Sequence, residues 1–217
     1  MRVGVLGTGE VGRTLASRFI ADGHDVRLGS RSADNPTGAA WASDQGERAD
    51  HGTFADAADG VDLLVNATPG TVSLEVLATI PDADLDGAVL LDVANPLDFT
   101  DGFPPTLSLA NTTSLGEEIQ RAHPTARVVK ALNTVHNSVM VEPDRVPGHH
   151  HLFVCGNDDA AKALVREILA VWGWRPEDRI IDLGDITNAR ATEMLLALWV
   201  RLYGTLGSPD FNLAVLR

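Results

Sequence analysis

The sequence predicts an α/β protein with a doubly wound, mostly parallel sheet, and three observations support this prediction. Short apolar segments alternate with longer segments of helical periodicity along most of the 217 residues. The short segments are apolar throughout, as are strands that helices cover on both faces. A composition with 44% hydrophobic and 22% charged residues is typical of a soluble globular protein with a sizeable core.

The first strand–helix–strand unit is the clearest part of the pattern. Residues 2–6 are predicted to form a strand, and residues 25–28 the next one. Between them, residues 11–21 carry apolar Val11, Leu15 and Phe19 at helical spacing. Gly23 is typical of the position just past a helix end.

The middle of the chain continues the alternation. Here the sequence predicts a helix at 39–49, a strand at 63–67, a helix at 73–79 and a strand at 89–93. Ser114 and Glu117 fit the S-x-x-E capping box, so we expect a helix from this point to residue 122. A strand at 127–132 follows.

The helices predicted in the final third of the chain are longer than those before it. A strand at 151–155, a helix at 158–172, a strand at 179–183 and a long helix at 188–203 are predicted. The last helix is apolar nearly all round, so we expect it to be buried in its own chain or to pair with a second copy. Trp199 is the predicted dimer contact. We place a domain boundary between residues 1–155 and a small helical C-terminal region, 156–217.

Charge and apolar run lengths exclude several classes of partner. The formal net charge is −13, and residues 34–101 carry fourteen acids against one base, so nucleic acid and anionic lipid are not expected partners. The longest apolar run near the C-terminus, residues 194–200, is far shorter than the roughly 20 residues of a membrane span. No signal peptide is recognisable, and with Cys155 alone no internal disulfide can form. We therefore expect a cytoplasmic protein.

A glycine-rich turn follows the first predicted strand. Residues 7–12 read Gly-Thr-Gly-Glu-Val-Gly, which is G-x-G-x-x-G between a strand and a helix. Gly7 permits the tight turn, Gly9 leaves room for a pyrophosphate and Gly12 allows close helix packing. The N–H groups at the start of the helix would bind the phosphates. This context predicts a Rossmann-like dinucleotide site, with an ordinary turn as the alternative.

The residues after the second strand indicate which dinucleotide is bound. An acid that would accept hydrogen bonds from the ribose 2′-hydroxyl is expected there for NAD, but the chain has Ser30, Arg31 and Ser32. A guanidinium and two hydroxyls suit a 2′-phosphate. We therefore predict NADP(H), and residues 1–155 as its domain. The alternative is a solvated turn.

Several segments together carry a resemblance to a known family. They are the opening residues 1–12, Gly29-Ser30-Arg31, Ala67-Thr68-Pro69, residues 131–134, residues 154–158 and Leu206-Gly207. With these segments the chain resembles the coenzyme F420-dependent NADP oxidoreductases, a family that also includes the oxidoreductase domain of six-transmembrane metalloreductases. The likeness extends over nearly the whole chain.

The resemblance implies an activity and a set of site residues. It implies a homodimer in which NADP(H) exchanges hydride with a small-molecule acceptor, such as coenzyme F420 or the flavins FMN and FAD. By position, Thr8, Gly9, Glu10 and Val11 would hold the pyrophosphate, Ser30 and Arg31 the 2′-phosphate, and Thr68, Pro69, Asn95 and Pro96 the nicotinamide ribose. Asn133, Thr134 and Val135 would face the reacting rings, and Leu206 and Gly207 would close the pocket. Asn133 departs from the His of the archaeal F420-reducing enzymes.

The chemistry itself requires few side chains. Hydride transfer needs two rings about 3 to 3.5 Å apart and shielded from water, so no catalytic triad is expected. The Asn133 amide could orient a carboxamide or an acceptor carbonyl, and His136 could supply a proton; His136 without a chemical role is the alternative. Histidines 149–151 are consecutive on a strand and would point to alternate sides, so we expect no metal site.

Two other functions stay open on the sequence. The first is an NADPH-dependent reductase of a small carbonyl or imine metabolite, which Asn133 makes plausible. The second is a non-catalytic NADP(H)-binding sensor, which would bind the nucleotide without turnover. The fold does not separate them, because function resides in the site.

Overall fold

The computed structural model describes residues 1–175 and 177–216, so Pro176 and Arg217 of the predicted C-terminal region lie outside the described residues. In the described part, eight strands form one sheet and two short strands form a separate antiparallel pair. The ten strands are β1 (Arg2–Leu6), β2 (Asp25–Ser30), β3 (Ala49–Thr53), β4 (Leu63–Asn66), β5 (Val89–Asp92), β6 (Leu97–Asp98), β7 (Thr106–Leu107), β8 (Arg127–Ala131), β9 (Leu152–Gly156) and β10 (Ile180–Asp182).

Helices connect the strands. They are α1 (Glu10–Ala21), α2 (Pro36–Gln45), α3 (Phe54–Ala58), α4 (Ser73–Leu77), α5 (Asp82–Leu85), α6 (Leu115–Ala122), α7 (Asn137–Val141), α8 (Asp159–Val171), α9 (Ala189–Met194) and α10 (Leu196–Leu206). Short 3-10 turns lie at Pro143–Arg145 and Ile186–Asn188.

The strand order of the large sheet confirms the predicted Rossmann-like class. The order is β3-β2-β1-β4-β5-β8-β9-β10. All neighbours are parallel except β8 and β9, which pair antiparallel. The chain starts at β1, winds outward to β3 and then returns to β4 on the other side of β1. The carboxyl ends of β1 and β4 therefore meet where the winding reverses, which is where such sheets bind ligands.

Helices cover both faces of the sheet, and each face has its own core. One core packs Leu15 and Phe19 of α1 and Val165 of α8 against the sheet. The other packs Leu77 of α4 and Ile119 of α6 against the opposite face. All residues of β4 and β5 are buried. This explains why the strand segments are apolar throughout.

The structure corrects two parts of the predicted element list. The helix expected at 39–49 spans Pro36–Gln45, because Asn35 caps its start and Gly46, with φ of 85°, ends it. Residues Ala49–Thr53 then form β3, which was missed. This strand is polar and half-exposed at the edge of the sheet, so it carries no apolar pattern. Helices α3, α5 and α7 were also missed, and each has at most five residues.

The C-terminal region completes the sheet and adds two helices to it. β10 pairs with β9, so residues beyond 156 contribute a strand to the same sheet. The long helix predicted at 188–203 is two helices, α9 and α10, separated by Leu195, whose backbone remains helical at φ −58° and ψ −26°. Among the described residues, no helix has the length and apolar character needed to cross a membrane.

Candidate active site

A cavity of about 1110 Å³ lies at the carboxyl edge of the sheet. The segments after β1, β2, β4, β5 and β8 line it, and α10 closes one side. The predicted site residues in its wall are Gly7, Thr8, Gly9, Glu10, Val11, Ser30, Arg31, Ser32, Thr68, Pro69, Asn95, Asn133, Val135 and His136. Those predicted for the site that do not line it are Gly12, Pro96, Thr134, Leu206 and Gly207.

The glycine turn joins β1 to α1 and requires two of its glycines for packing. Gly7 has φ of 112°, a conformation that favours glycine. A Cβ on Gly12 would lie 2.0 Å from the Gly7 carbonyl oxygen. A Cβ on Gly9 would meet no protein atom within 4 Å. The bare backbone at Gly9 therefore leaves space in the cavity and is not needed for packing.

The start of α1 has no side-chain cap. Gly9 is the N-cap residue, and no side chain accepts a hydrogen bond from the first N–H groups of the helix. Such N–H groups, together with the helix dipole, attract an anion. Because Gly9, Glu10 and Val11 line the cavity, this is where an anionic ligand group would be held.

The end of β2 presents one unpaired cation to the cavity. Arg31 is exposed and has no ion pair with any described residue. Ser30 is buried, and its hydroxyl donates to the Ser32 carbonyl at 2.6 Å. The Ser32 hydroxyl binds Asp34, an acid that the sequence reading did not consider. That hydrogen bond lowers the pKa of Asp34, so its carboxylate is charged at neutral pH.

A buried hydrogen-bond network shapes the loop after β4. The Thr68 hydroxyl donates to Asn66 Oδ1 at 2.7 Å and lies 2.9 Å from the Ser73 hydroxyl. Asn66 Nδ2 donates to Asp92 Oδ1 at 2.9 Å. All four side chains are buried. The network fixes Thr68 and Pro69 in the cavity wall.

Lys130 lies at the Asp92 end of this network. Its Nζ is 2.8 Å from Asp92 Oδ2 and 2.8 Å from Glu193 Oε1, and none of the three side chains is more than 1% exposed. Burial alone would lower the pKa of Lys130, but the two carboxylates outweigh it and raise the pKa above its ordinary value. Glu193 also accepts hydrogen bonds from the N–H groups of Leu115 and Gly116 at the start of α6. This cluster joins the C-terminal helices to the sheet, and no local sequence pattern predicts it.

Two asparagines join the loops after β5 and β8. Asn95 Nδ2 donates to the Asn133 carbonyl at 2.8 Å, and Asn133 Nδ2 donates to Asn95 Oδ1 at 2.9 Å. Leu132, with φ of 64°, turns the chain before Asn133, a conformation that is strained for a leucine. Asn133 Oδ1 is left buried without a partner among the described residues.

Thr134 and His136 follow in the same loop. Thr134 is buried, and its hydroxyl has no hydrogen-bond partner in the described part of the chain. His136 lines the cavity, and its Nδ1 lies 2.9 Å from the Ser138 hydroxyl. The second ring nitrogen of His136 is not used by this contact, so it is available to a ligand.

The C-terminal region contributes Leu196 and Trp199 to the wall, where Leu206 and Gly207 were expected. Leu206 is 57% exposed at the end of α10, and Gly207 ends that helix with φ of 65°. The indole Nε1 of Trp199 is buried without a partner among the described residues. The apolar pattern of the last helix indicated a contact for Trp199 but not which one.

Comparisons with known proteins agree with this geometry. A family model described as NADP oxidoreductase, coenzyme F420-dependent, matches residues 2–96. A crystal structure from Arthrobacter sp. fb24, of a protein proposed to be an F420-dependent NADP-reductase, is 47% identical with a TM-score of 0.93, and each chain covers 100% of the other.

The chain belongs to the coenzyme F420-dependent NADP oxidoreductase family. It is thus an NADP-dependent oxidoreductase, as the sequence predicted.

Two further relatives of this family are similar at lower identity. The F420-dependent NADP reductase of Methanothermobacter thermautotrophicus is 28% identical, over 93% of this chain and 89% of that protein. The metalloreductase STEAP3 of Rattus norvegicus is 27% identical over 89% of this chain. The chain spans only 36% of the length of STEAP3, so that protein is larger than the part matched here.

Proposed function

We propose that this protein transfers hydride between NADP(H) and a planar acceptor such as coenzyme F420 or a flavin. One observation carries the proposal: a single cavity connects the glycine turn and Arg31 with Asn133, His136 and Trp199. Its volume of about 1110 Å³ exceeds the roughly 300–1,000 Å³ of ordinary ligand pockets. Such a cavity suits a dinucleotide and a second ligand together.

The residues present fit NADP(H). The uncapped start of α1 and the open space at Gly9 suit the pyrophosphate. The guanidinium of Arg31, free of any described partner, suits the 2′-phosphate, with the hydroxyls of Ser30 and Ser32 beside it. Bound NADPH would supply the hydride, and the protein would supply position and shielding from water.

The remaining wall residues would orient the reacting rings. Thr68, held by Asn66, and Pro69 border the expected place of the nicotinamide ribose, with Asn95 after the next strand. Asn133 is held by Asn95 and offers its Oδ1 as an acceptor, while Val135 adds an apolar surface. Leu196 and Trp199 of the C-terminal region would help to exclude water.

A second candidate is the reduction of a small carbonyl or imine compound. His136 lines the cavity and engages only its Nδ1 with Ser138, so the other nitrogen could deliver the proton that such a reduction needs. Hydride transfer to a flavin or deazaflavin depends less on this histidine. His136→Gln should therefore abolish turnover only if the second candidate is correct.

The test is anaerobic mixing of the protein and NADPH with F420, FMN or FAD, followed at the nicotinamide absorbance. Turnover with one of them supports the proposal. Turnover only with aldehydes, ketones or imines would favour the second candidate. Binding of NADPH without turnover of any compound would overturn the proposed reaction. A non-catalytic NADP(H)-binding sensor would then be the remaining function.

A further inference from the structure

The segment of residues 208–215, here called the strap, returns from the end of α10 to the start of β9. The backbone N–H of His151 donates to the Leu213 carbonyl at 2.9 Å. The Val215 N–H donates to Nδ1 of the same histidine at 3.0 Å. The strap is therefore held by His151, the residue just before β9, although it is not itself a strand.

A buried histidine fixes the centre of the strap. His150 is 2% exposed, and its Nε2 lies 3.1 Å from the Pro143 carbonyl, an acceptor only. Nε2 must therefore carry the proton. Its Nδ1 then accepts from Asn212 Nδ2 at 2.9 Å. The Asn212 amide is oriented by its Oδ1, which accepts from the Leu213 N–H at 2.8 Å. This arrangement requires a neutral His150.

The strap places an aromatic ring against the cavity wall. Phe211 stacks on Trp199 with ring centroids 5.2 Å apart, and Tyr203 stacks near the same indole at 5.6 Å. Beside Phe211, Asp210 forms a two-point ion pair with Arg145 at 3.0 and 2.9 Å. Trp199 lines the cavity, so the position of its ring depends on the strap.

We propose that the strap is a positioning device for the acceptor side of the cavity: neutral His150 latches Asn212, and Phe211 then holds Trp199 in the wall. Protonation of His150 places a donor against the Asn212 donor and removes this hydrogen bond, so the strap loosens. The hydrogen bonds from Asn212 Nδ2 to the His151 carbonyl and from the His151 N–H to the Leu213 carbonyl remain. The identity of the affected ligand rests on the proposed function, because NADP(H) is assigned to the opposite end of the cavity. The latch itself does not depend on that assignment.

The surroundings of His150 set the direction of its response to pH. Burial and the positive charge of Arg179 lower the pKa of His150 below its ordinary 6.5. The backbone hydrogen bonds to Pro143 and Val146 and the charge of Asp144 oppose this shift without outweighing it. Asp210 stays ionised because Arg145 lowers its pKa. The latch is therefore complete above pH 6.5 and is lost as the pH falls through the lowered pKa of His150, which lies below 6.5. The acceptor KM should rise over that range.

Asn212→Ala removes the latch and leaves the cavity wall unchanged in sequence. It should raise the KM for the acceptor, measured with riboflavin, roughly three- to tenfold, as for the loss of one or two neutral hydrogen bonds. The KM for NADPH should change less than about twofold. The matched control is Asn188→Ala, which removes an exposed side-chain contact to the Asp185 carbonyl and should change neither constant.

Asn212→Asp tests the protonation state directly. A carboxylate at this position accepts from a charged His150 and opposes a neutral one. The pH dependence of the acceptor KM should therefore invert: it should fall between pH 7.5 and 5.5, whereas that of the wild-type protein should rise. If both proteins show the same dependence, the latch is overturned.

Amide hydrogen exchange separates this inference from the proposed function. In Asn212→Ala, the amides of residues 208–215 and of the end of α10 should exchange faster than in the wild-type protein at the same pH, whether or not an acceptor is turned over. Unchanged exchange would refute the strap even if turnover is found. Should a variant fail to fold, the pH dependence of the wild-type acceptor KM decides; a KM that stays constant from pH 6.5 down to the pH at which the protein unfolds would refute the strap.

Discussion

Single residues decide which nucleotide the site would prefer. Arg31 offers a guanidinium without an ion pair, but Asp34 lies within the same turn and binds Ser32. A carboxylate there could bind a ribose hydroxyl of NAD, whereas Arg31 favours a phosphate. Because Asp34 is held by a hydroxyl and does not line the cavity, we expect Arg31 to dominate.

Replacement of Arg31 tests this preference. Arg31→Ala should weaken NADPH binding by roughly 1.5 to 3 kcal/mol, the range for hydrogen bonds to charged groups, and should hardly change NADH binding. Calorimetric titration of both nucleotides measures the difference. Arg48→Ala, which removes an exposed arginine outside the cavity, is the control. Equal losses for NADPH and NADH would contradict the role of Arg31.

At the scale of elements, two glycines in the turn between β1 and α1 are expected to have different roles. Gly12 allows close packing, and Gly9 leaves room for a ligand. A Cβ at Gly12 overlaps the Gly7 carbonyl, while a Cβ at Gly9 meets only open cavity. Gly12→Ala should therefore lower both the melting temperature and NADPH affinity. Gly9→Ala should keep the melting temperature of the wild-type protein and lose NADPH binding. Thermal unfolding and nucleotide titration on both variants check this; a destabilised Gly9→Ala protein would argue against an open cradle.

The buried cluster of Lys130, Asp92 and Glu193 connects two strands and two helices. Removal of the cation leaves two carboxylates buried without it, which costs about 3–5 kcal/mol. Lys130→Met should therefore lower the free energy of unfolding by about that amount, measured by urea denaturation. Arg121→Ala, which breaks an exposed pair with Glu118, should cost less than about 1 kcal/mol. Similar costs for the two variants would show that the cluster is not a stabilising unit.

On the scale of the whole molecule, the C-terminal helix leaves an apolar face uncovered. Leu198 is 50% exposed and Tyr203 41%, while Trp199, the residue first expected at a dimer contact, lies in the cavity wall. Exposed apolar groups that cluster on one face are typical of an interface. We therefore still propose a homodimer, with Leu198 and Leu206 in place of Trp199 at the contact.

The oligomeric state can be tested on this face. Leu198→Glu should convert a dimer to a monomer in sedimentation velocity, because a charge would be buried at the contact. Val171→Glu, at a more exposed apolar position at the end of α8, should leave the dimer intact. A wild-type protein that sediments as a monomer would remove the dimer proposal.

The sequence by itself determined the fold class and predicted residues of the glycine turn and Arg31 that line one part of the cavity. Both depend on contacts between residues close along the chain: the turn at Gly7 and Gly12, the cap at Ser114 and the apolar strands read directly as local geometry. Segments such as β3 were missed because an edge strand forms by pairing with its neighbouring strand and does not require an apolar pattern.

Only the tertiary structure decided what closes the other end of the cavity. Lys130 meets Glu193, Asn95 meets Asn133, and Phe211 stacks on Trp199, and all these pairs but the last are far apart in the sequence. Even the last pair depends on the segment just before β9, because His150 and His151 hold the strap. Such contacts depend on the spatial order of the strands in the sheet, and no local periodicity predicts them.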